Sequence, residues 1–184
     1  MLVRLANAEL DSARVAEIYS PAVEGNFISF EESAPTADEM ADRMRKVLAR
    51  MPWLVAEDES GRVVGYAYAS PHRERAAYRW SVDISVYVDM HWQRRGIGLL
   101  LYDELLERLR GQGFVNVYAG VTLPNPASVA LHEAIGMRRI GVYERVGYKL
   151  GQWRDVAWFG MRLSEEGDPS VAPAEPSGEP PVTG

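Results

Sequence analysis

The sequence predicts a mixed α/β fold of the α+β kind, in which one sheet of parallel and antiparallel strands carries helices on its faces. The predicted elements follow the order β-α-α-β-β-β-α-β-α-β-β over residues 1–163. Successive strands without a helix between them pair antiparallel, whereas a strand–helix–strand unit can cross over between parallel strands. A chain of 184 residues is long enough for one such domain with a sizeable core.

The first elements follow from short local patterns. Residues 2–5 are apolar and β-prone, which predicts an opening strand. Apolar residues then recur at helical spacing, with Asp11 or Ser12 as the expected N-cap of the first helix. A capping box that begins at Thr36 marks the start of a second helix. Together these patterns predict β-α-α.

The middle of the chain predicts a hairpin and then a long strand. Residues 53–57 and 62–70 flank the turn sequence Asp-Glu-Ser-Gly, which is typical of a hairpin. The β-rich run 78–89 leads to a loop that contains two glycines, and a leucine-rich helix is expected from about residue 97 to residue 110. This succession places a glycine loop between a strand and a helix.

The remaining elements complete the sheet. Residues 114–121 predict a strand. Asn125 followed by proline predicts the capped start of a helix that Gly136 closes. Residues 138–151 and 154–163 predict two final strands.

Composition and charge exclude several classes of protein. The formal charge of −6 gives no support for nucleic-acid binding, and no window approaches the roughly 20 apolar residues of a membrane span. The absence of cysteine excludes disulfides and thiolate metal sites and is compatible with the cytoplasm. Residues 164–184 contain five acidic residues and five prolines but no Lys or Arg. We therefore expect an acidic, Pro-rich disordered tail after a domain of residues 1–163.

The loop Gln-Arg-Arg-Gly-Ile-Gly, residues 93–98, predicts an anion site. A glycine turn that feeds a helix leaves free amides at the positive end of the helix, where phosphates bind. Gly96 and Gly98 would let a ligand approach the backbone, and Arg94 and Arg95 add positive charge. A tight structural turn would explain the glycines equally well. The dinucleotide and P-loop signatures are both absent from this loop.

The wider pattern resembles a known family. Gln-x-x-Gly-x-Gly follows an antiparallel β run and precedes the sequence Asn-Pro-Ala-Ser-Val-Ala-Leu-His-Glu-Ala-Ile-Gly-Met by about 27 residues. This combination resembles the GCN5-related N-acetyltransferases (GNAT), whose acyl-CoA N-acyltransferase fold has the strand order predicted above. Segments 51–57, 77–98, 120–137 and 147–159 look like the phosphinothricin acetyltransferase group of that family. The resemblance implies a cytoplasmic enzyme that uses acetyl-CoA and no metal.

The resemblance also implies how acetyl-CoA is held. In the family the glycine loop binds the pyrophosphate, and the preceding strand splays at a bulge whose backbone groups hold the pantetheine arm and the thioester oxygen. The side chains on that strand belong to the core, and Asn125 combines its helix cap with a contact to the pantetheine. The implied cofactor-binding residues are Val86, Tyr87, Val88, Arg94, Arg95, Gly96, Ile97, Gly98, Asn125 and Ser128.

Two residues are candidates for the acid–base chemistry. Asp83 lies between apolar strand residues, where a carboxylate is costly unless it is paired or used. It is either a buried hydrogen-bond acceptor or, at the position where the resembled group has Glu, the general base, acting through a water because Asp is one methylene shorter. His132 is either structural or, at the position where the resembled group also has His, placed to protonate the CoA thiolate or to hold an active-site water. Tyr102 matches a tyrosine of the group, but its leucine neighbours favour core packing.

Four residues are candidates for substrate binding. Arg73, Arg75 and Tyr78 lie in a polar loop that is either solvated surface or the recognition site for an anionic amino acid, because Arg pairs bidentately with carboxylate or phosphinate. Phe30 would form an apolar wall. The resemblance places equivalents of Phe30, Arg75 and Tyr78 around the substrate.

These observations predict an N-acetyltransferase that acts on the α-amine of a small amino-acid-like substrate such as phosphinothricin or methionine sulfoximine. Without a cysteine to carry an acyl group, the amine would attack acetyl-CoA directly in a ternary complex. Alternatives are another amine (another amino acid or a protein N-terminus) and a non-catalytic acyl-CoA sensor. A homodimer is usual in the resembled group, and the aromatic residues near Trp153 and Trp158 would suit one.

Overall fold

Seven strands form one mixed sheet in the computed structural model, which describes residues 1–164 and 171–175. The strands are β1 (Leu2–Leu5), β2 (Trp53–Glu57), β3 (Val63–Pro71), β4 (Ser81–Val88), β5 (Asn116–Thr122), β6 (Arg138–Lys149) and β7 (Gln152–Arg162). Their order across the sheet is β1-β2-β3-β4-β5-β7-β6. Only the β4–β5 pair is parallel among these described strands, and the glycine-loop helix connects its two members. The predicted mixed fold is confirmed.

Four α-helices complete the domain in the predicted order. They are α1 (Ala8–Val23), α2 (Ala37–Leu48), α3 (Ile97–Gln112) and α4 (Pro126–Ala134). Two helix starts form as the sequence predicts. The Thr36 hydroxyl and the Glu39 side chain make a reciprocal capping box at α2, and the Asn125 side chain accepts a hydrogen bond from the Ser128 amide at α4.

The expected cap of α1 was wrong. The helix begins at Ala8, and the side chain of Asn7 caps it by accepting hydrogen bonds from the amides of Glu9 and Leu10. Asp11 lies inside the helix, where its carboxylate is buried and binds the guanidinium of Arg4 at 2.7 and 2.8 Å. A distant cation on β1 therefore satisfies the carboxylate that looked like a cap.

The predicted long strand 78–89 is also shorter than expected. A short 3₁₀ turn, Ala76–Tyr78, precedes it, and β4 begins only at Ser81. Residues 78–80 are β-prone but lie before the strand, and the Trp80 indole donates to the carbonyl of Val171 at 2.9 Å. Tertiary contact at the start of the strand thus overrides local β propensity.

The helices divide between the two faces of the sheet. Helices α1 and α2 pack on one face, with Tyr66 and Trp53 in their core, and α3 and α4 pack on the other, with Val82 and Ile84 in theirs. Because successive strand residues point to opposite faces, Asp83 points to the α1/α2 face. The α3/α4 face and the α1/α2 face are the two sides from which a ligand can approach β4.

Part of the tail contacts the domain. The Ala174 amide donates to the Gln112 carbonyl, and the Gln112 side chain donates to the Ala174 carbonyl, both at 2.8 Å. Most of the predicted disordered tail, residues 164–184, lies outside the described residues, so that prediction stays a prediction. No helix within residues 1–164 or 171–175 is long and apolar enough to cross a bilayer. The same residues contain no group of three or more His, Asp or Glu side chains that could hold a metal ion.

Candidate active site

The parallel strands β4 and β5 separate after only three paired positions. Ser81, Val82 and Asp83 pair with β5, and from Ala119 to Thr122 the β5 ladder continues with β7. The result is an opening through the sheet, here called the slot, between residues 84–88 and residues 119–122. Its lining also includes residues from both faces: Ile28, Tyr102, Asn125, Ser128 and His132.

Val86, Tyr87 and Val88 lie along the open edge of β4. Their other edge stays in register with β3 over the whole pairing, from Gly65–Val88 to Pro71–Val82. The expected bulge is therefore not part of this pair, and the slot opens where the β4–β5 pairing ends after Asp83. The Tyr87 ring packs edge-on against Tyr19 at 4.9 Å, so its side chain belongs to the core and its backbone faces the slot.

The glycine loop gives the amino end of α3 an open approach. Gly96 has φ +79°, a conformation that disfavours side chains, and a Cβ built there would meet no atom within 4 Å. Arg94 shares the positive φ, at 60°, and both Arg94 and Arg95 are exposed. Free amides and two cations at an unobstructed helix start match the requirements of a phosphate site.

Gly98 has a different reason to be glycine. A Cβ at this position would lie 3.1 Å from the Leu131 side chain of α4. The absence of a side chain thus allows α3 and α4 to approach each other, and α4 carries Asn125, Ser128 and His132 along the slot. Packing between two helices accounts for a glycine that the sequence associated with a ligand.

His132 and Tyr102 form a buried pair on the α3/α4 face. The imidazole Nδ1 lies 2.7 Å from the carbonyl of Ser128, which can only accept, so Nδ1 carries the proton. Nε2 then accepts from the Tyr102 hydroxyl at 3.1 Å. Burial lowers the pKa of His132 and raises the pKa of Tyr102 well above its usual range. Tyr102 is fully buried in the core, as its leucine neighbours predicted, and it also lines the slot.

Asp83 forms the second pair, on the α1/α2 face. Its carboxylate lies 2.6 Å from Nδ1 of His72, with both side chains largely shielded from solvent. Burial raises the pKa of Asp83, while the hydrogen bond from His72 acts in the opposite direction. Asp83 is thus a hydrogen-bonded acceptor that lies where the slot begins, and its role as a general base stays a prediction.

Sequence reasoning missed His72, although the hairpin register contains the signal. Ser70 pairs with Asp83 across β3 and β4, so the residue two places beyond Ser70 returns to the same face beside Asp83. The amide of His72 extends this ladder by donating to Ser81. Its ring packs against Tyr118 at 4.5 Å.

The polar loop between β3 and β4 lies next to this pair. Arg73 donates to the carbonyl of His72 at 2.6 Å, and the Tyr78 ring lies 6.0 Å from the His72 ring. Arg75 is exposed and precedes the 3₁₀ turn. These contacts place Arg73 and Tyr78 beside the Asp83–His72 pair.

Phe30 lies in the segment between α1 and α2, and its ring is seated on β6. A Cβ at Gly147 would come within 2.2 Å of the Phe30 ring, so only glycine permits this contact. The same segment is fixed by the buried Lys149, whose Nζ donates to the carbonyls of Val23 and Ser29 at 2.6 and 2.7 Å. Ile28, between these anchors, is the residue of the segment that lines the slot.

Comparison with known proteins agrees with this geometry. Residues 13–137 match the Acetyltransferase (GNAT) family. The chain is 42% identical over 149 residues to a phosphinothricin N-acetyltransferase of Streptomyces viridochromogenes, covering 81% of each chain. It is 34% identical over 157 residues to an L-methionine sulfoximine/L-methionine sulfone acetyltransferase of Pseudomonas paraeruginosa, covering 83% of this chain and 90% of that one. A phosphinothricin acetyltransferase from Sinorhizobium meliloti, solved with AcCoA, superimposes with a TM-score of 0.86 at 36% identity, covering 95% and 93%.

A split sheet with a helix amino end at its opening is thus the frame of an acyl-CoA-dependent N-acyltransferase. The chain belongs to the GNAT acetyltransferase family and is an acetyl-CoA-dependent N-acetyltransferase. The resemblance to its phosphinothricin acetyltransferase group is confirmed.

Proposed function

We propose that this enzyme acetylates the α-amine of a small anionic or polar amino acid of the phosphinothricin or methionine sulfoximine type. The observation that carries the proposal is the Asp83–His72 pair at the mouth of the slot. The pair supplies a proton acceptor on the α1/α2 face, and the neighbouring arginines 73 and 75 supply charge for a carboxylate or phosphinate. Relatives that act on such amino acids support this choice of acceptor.

The residues that would hold acetyl-CoA run along the α3/α4 face and the open edge of β4. The amino end of α3 with Gly96 and Arg94 suits the pyrophosphate, and the backbone of residues 86–88 and the α4 start at Asn125 suit the pantetheine arm. When bound, acetyl-CoA supplies a thioester whose carbonyl carbon accepts the amine.

The chain's own contribution is to move protons on opposite sides of the slot. The Asp83–His72 pair removes a proton from the ammonium, because only the free amine is a nucleophile. The Tyr102–His132 pair lies on the other side, where the thiolate leaves, and both residues line the slot. Transfer is direct, since the chain has no cysteine to carry an acyl group.

The proposal extends to the location, the biological role and the oligomeric state of the enzyme. We propose that the enzyme works in the cytoplasm, that N-acetylation by it confers resistance to such compounds, and that it forms a homodimer. Exposed apolar side chains on the β6–β7 hairpin would suit the dimer contact: Ile140, Tyr143, Val146, Tyr148, Leu150 and Trp153. Trp158, in contrast, is half-buried and packs against Tyr143. Sedimentation equilibrium of the wild type and a Trp153→Glu variant tests the dimer, which the charge should weaken.

A thiol-release assay over a panel of amines tests the acceptor. Phosphinothricin and methionine sulfoximine should be turned over with the highest kcat/KM, ahead of glutamate, methionine, spermidine and a peptide with an N-terminal alanine. Preference for the peptide or spermidine would replace the proposed acceptor. Tight acetyl-CoA binding without turnover of any amine would indicate a sensor instead.

A further inference from the structure

The residues around His72 fix the position of its imidazole ring. One ring face lies against Tyr118 at 4.5 Å, and Trp158 and Tyr78 approach edge-on at 6.2 and 6.0 Å. Nδ1 is held by Asp83 at 2.6 Å, and the backbone amide is held by Ser81. The ring is therefore fixed in position and orientation by contacts from β4, β5, β7 and the loop.

The Nδ1 contact determines which nitrogen is basic. An ionised carboxylate can only accept, so it selects the neutral tautomer with the proton on Nδ1 and the lone pair on Nε2. In residues 1–164 and 171–175, the Asp83 contact is the only hydrogen bond that the imidazole ring makes. Nε2 is thus left for a ligand.

The charged and titratable groups around the ring differ in how strongly they act on it. The titratable or charged groups that face it are Asp83 on β4, Tyr118 on β5, and Arg73 and Tyr78 on the loop. Asp83 is in direct contact and shielded from solvent, so its attraction is strong. Arg73 is exposed, so solvent and salt screen its repulsion. Burial raises the pKa of Asp83, and the hydrogen bond from His72 acts in the opposite direction.

We propose that Nε2 of His72 is the atom that takes the proton from the substrate ammonium, and that Asp83 is the positioning residue that orients this imidazole and stabilises its charged form. The inference rests on the proposed acetyltransferase activity. It changes the role expected for Asp83, whose carboxylate already binds Nδ1 and is one methylene too short to replace a longer base.

The proton and electron balance of the step is simple. The lone pair of Nε2 takes one proton from the R–NH₃⁺ group, which leaves a neutral amine and an imidazolium. The amine nitrogen forms a bond to the thioester carbon, and when the C–S bond breaks the sulfur leaves with its electron pair. The nitrogen then loses a second proton. One of the two protons ends on the thiolate and the other reaches solvent, so the products are the amide, the free thiol and one proton.

The test compares His72→Asn with His72→Ala in the full-length enzyme, with methionine sulfoximine and acetyl-CoA as substrates. The Asn amide can keep a donor near the Nδ1 position for Asp83, but it has no basic atom at Nε2. We expect both variants to lose a factor of about 10²–10⁴ in kcat/KM for the acceptor. Both losses should shrink as pH rises and bulk water supplies the free amine, while the KM of acetyl-CoA stays within about twofold.

Two other results would each contradict a different proposal. If His72→Asn keeps kcat/KM within about threefold of the wild type, with an unchanged pH profile, His72 only orients Asp83 and the inference is wrong. If the wild type acetylates no amine of the panel, the proposed function fails first, and the inference falls with it.

A second readout needs no acceptor. Nitrogen chemical shifts of the imidazole in the free enzyme, assigned with His72→Asn, should show the neutral ring protonated at Nδ1, with Nε2 bare. Asp83→Asn should shift this tautomer towards a mixture. A wild-type ring with its proton on Nε2 would mean that Asp83 donates to His72, which overturns the assignment whatever the activity.

Discussion

The two sides of the slot each carry a histidine, and the two histidines are built for opposite purposes. His72 has a carboxylate on Nδ1 and is partly exposed, so a positive charge on its ring is stabilised. His132 has a carbonyl on Nδ1 and a tyrosine on Nε2, is only 4% exposed, and has its pKa lowered by burial. In the proposed mechanism the same side chain accepts a proton on the α1/α2 face, whereas burial favours its neutral form on the α3/α4 face.

This difference shows how one fold separates two proton transfers. The partner atom on Nδ1 selects the tautomer in both pairs, but a charged carboxylate attracts an added proton more strongly than a neutral carbonyl does. The two pairs are held apart by the sheet itself, because Asp83 and the core residues beside it point to opposite faces of β4. The slot is the opening that connects the two faces of the sheet.

Removing the charge from the α1/α2 pair should have the largest effect. We expect Asp83→Asn to lower kcat/KM for the acceptor by a factor of about 10²–10⁴, because the neutral amide stabilises neither the tautomer nor the imidazolium. The deficit should shrink as pH rises. A pH–rate profile of both proteins measures it, with the KM of acetyl-CoA expected to stay constant.

Asp83→Glu sharpens the same comparison. In the observed geometry a longer side chain would push against His72, so we expect reduced activity. Full or improved activity would instead show that a carboxylate can act directly, or through a water when it is short. A variant Asp83→Asn as fast as the wild type at pH 7 would reduce Asp83 to a structural acceptor.

The anion site at α3 should give the next largest effect. Gly96→Val places a side chain in the open space at the helix start, and we expect the KM of acetyl-CoA to rise by about 10- to 100-fold, since a charge-assisted hydrogen bond contributes about 1.5–3 kcal/mol. Gly61→Val is the matched control, because Gly61 has φ +80° and equally open space in the β2–β3 turn. Both variants should lose similar stability by thermal melting. Equal KM values in the two variants would remove the anion-site assignment.

Removing an arginine from the β3–β4 loop should have a smaller effect on substrate binding. Arg75 is exposed, so a contact with an anionic substrate is partly screened, and we expect Arg75→Ala to raise the acceptor KM by about threefold to tenfold. The KM of acetyl-CoA should not change. Arg79→Ala is the control from the same loop, since its guanidinium lies over Trp80 and donates to Ala76. Unchanged KM values in Arg75→Ala would make the loop solvated surface.

The smallest effect concerns stability on the α3/α4 face. Because the pKa of His132 is lower in the folded state than the ordinary value of about 6.5, its stabilising neutral form is fully present above that pH. This contribution is lost as pH falls from the pKa of the histidine in the unfolded chain towards its lower pKa in the folded protein. Urea unfolding at pH 7, 6 and 5 should show a steeper loss for the wild type than for His132→Gln.

The exposed His91 supplies the control for this prediction. His91→Gln should keep the wild-type slope between pH 7 and 5. If His132→Gln and the wild type lose stability in parallel, His132 is not held neutral by burial, and the contrast between the two histidines is lost.

Local signals were enough to predict most of the elements and to propose one end of a cofactor site. The capping box at Thr36, the Asn125–Pro126 start of α4 and the strand–glycine–helix succession each lie within a few residues, so propensity and hydrogen-bonding chemistry predict them. The same locality explains the wrong cap of α1, because the sequence pattern at Asp11 contains no trace of Arg4 on another element.

The chemistry of the site depended on contacts between distant residues. Gly98 meets Leu131, Tyr102 meets His132, and Phe30 meets Gly147 only after α3, α4 and β6 have packed. The His72–Asp83 bond needs the register of β3 on β4 and the separation of β4 from β5. The sequence by itself determined which elements form and predicted where an anion would bind, because those signals are local. Only the tertiary structure decided which atom can accept a proton, because burial and partner geometry exist only in the folded chain.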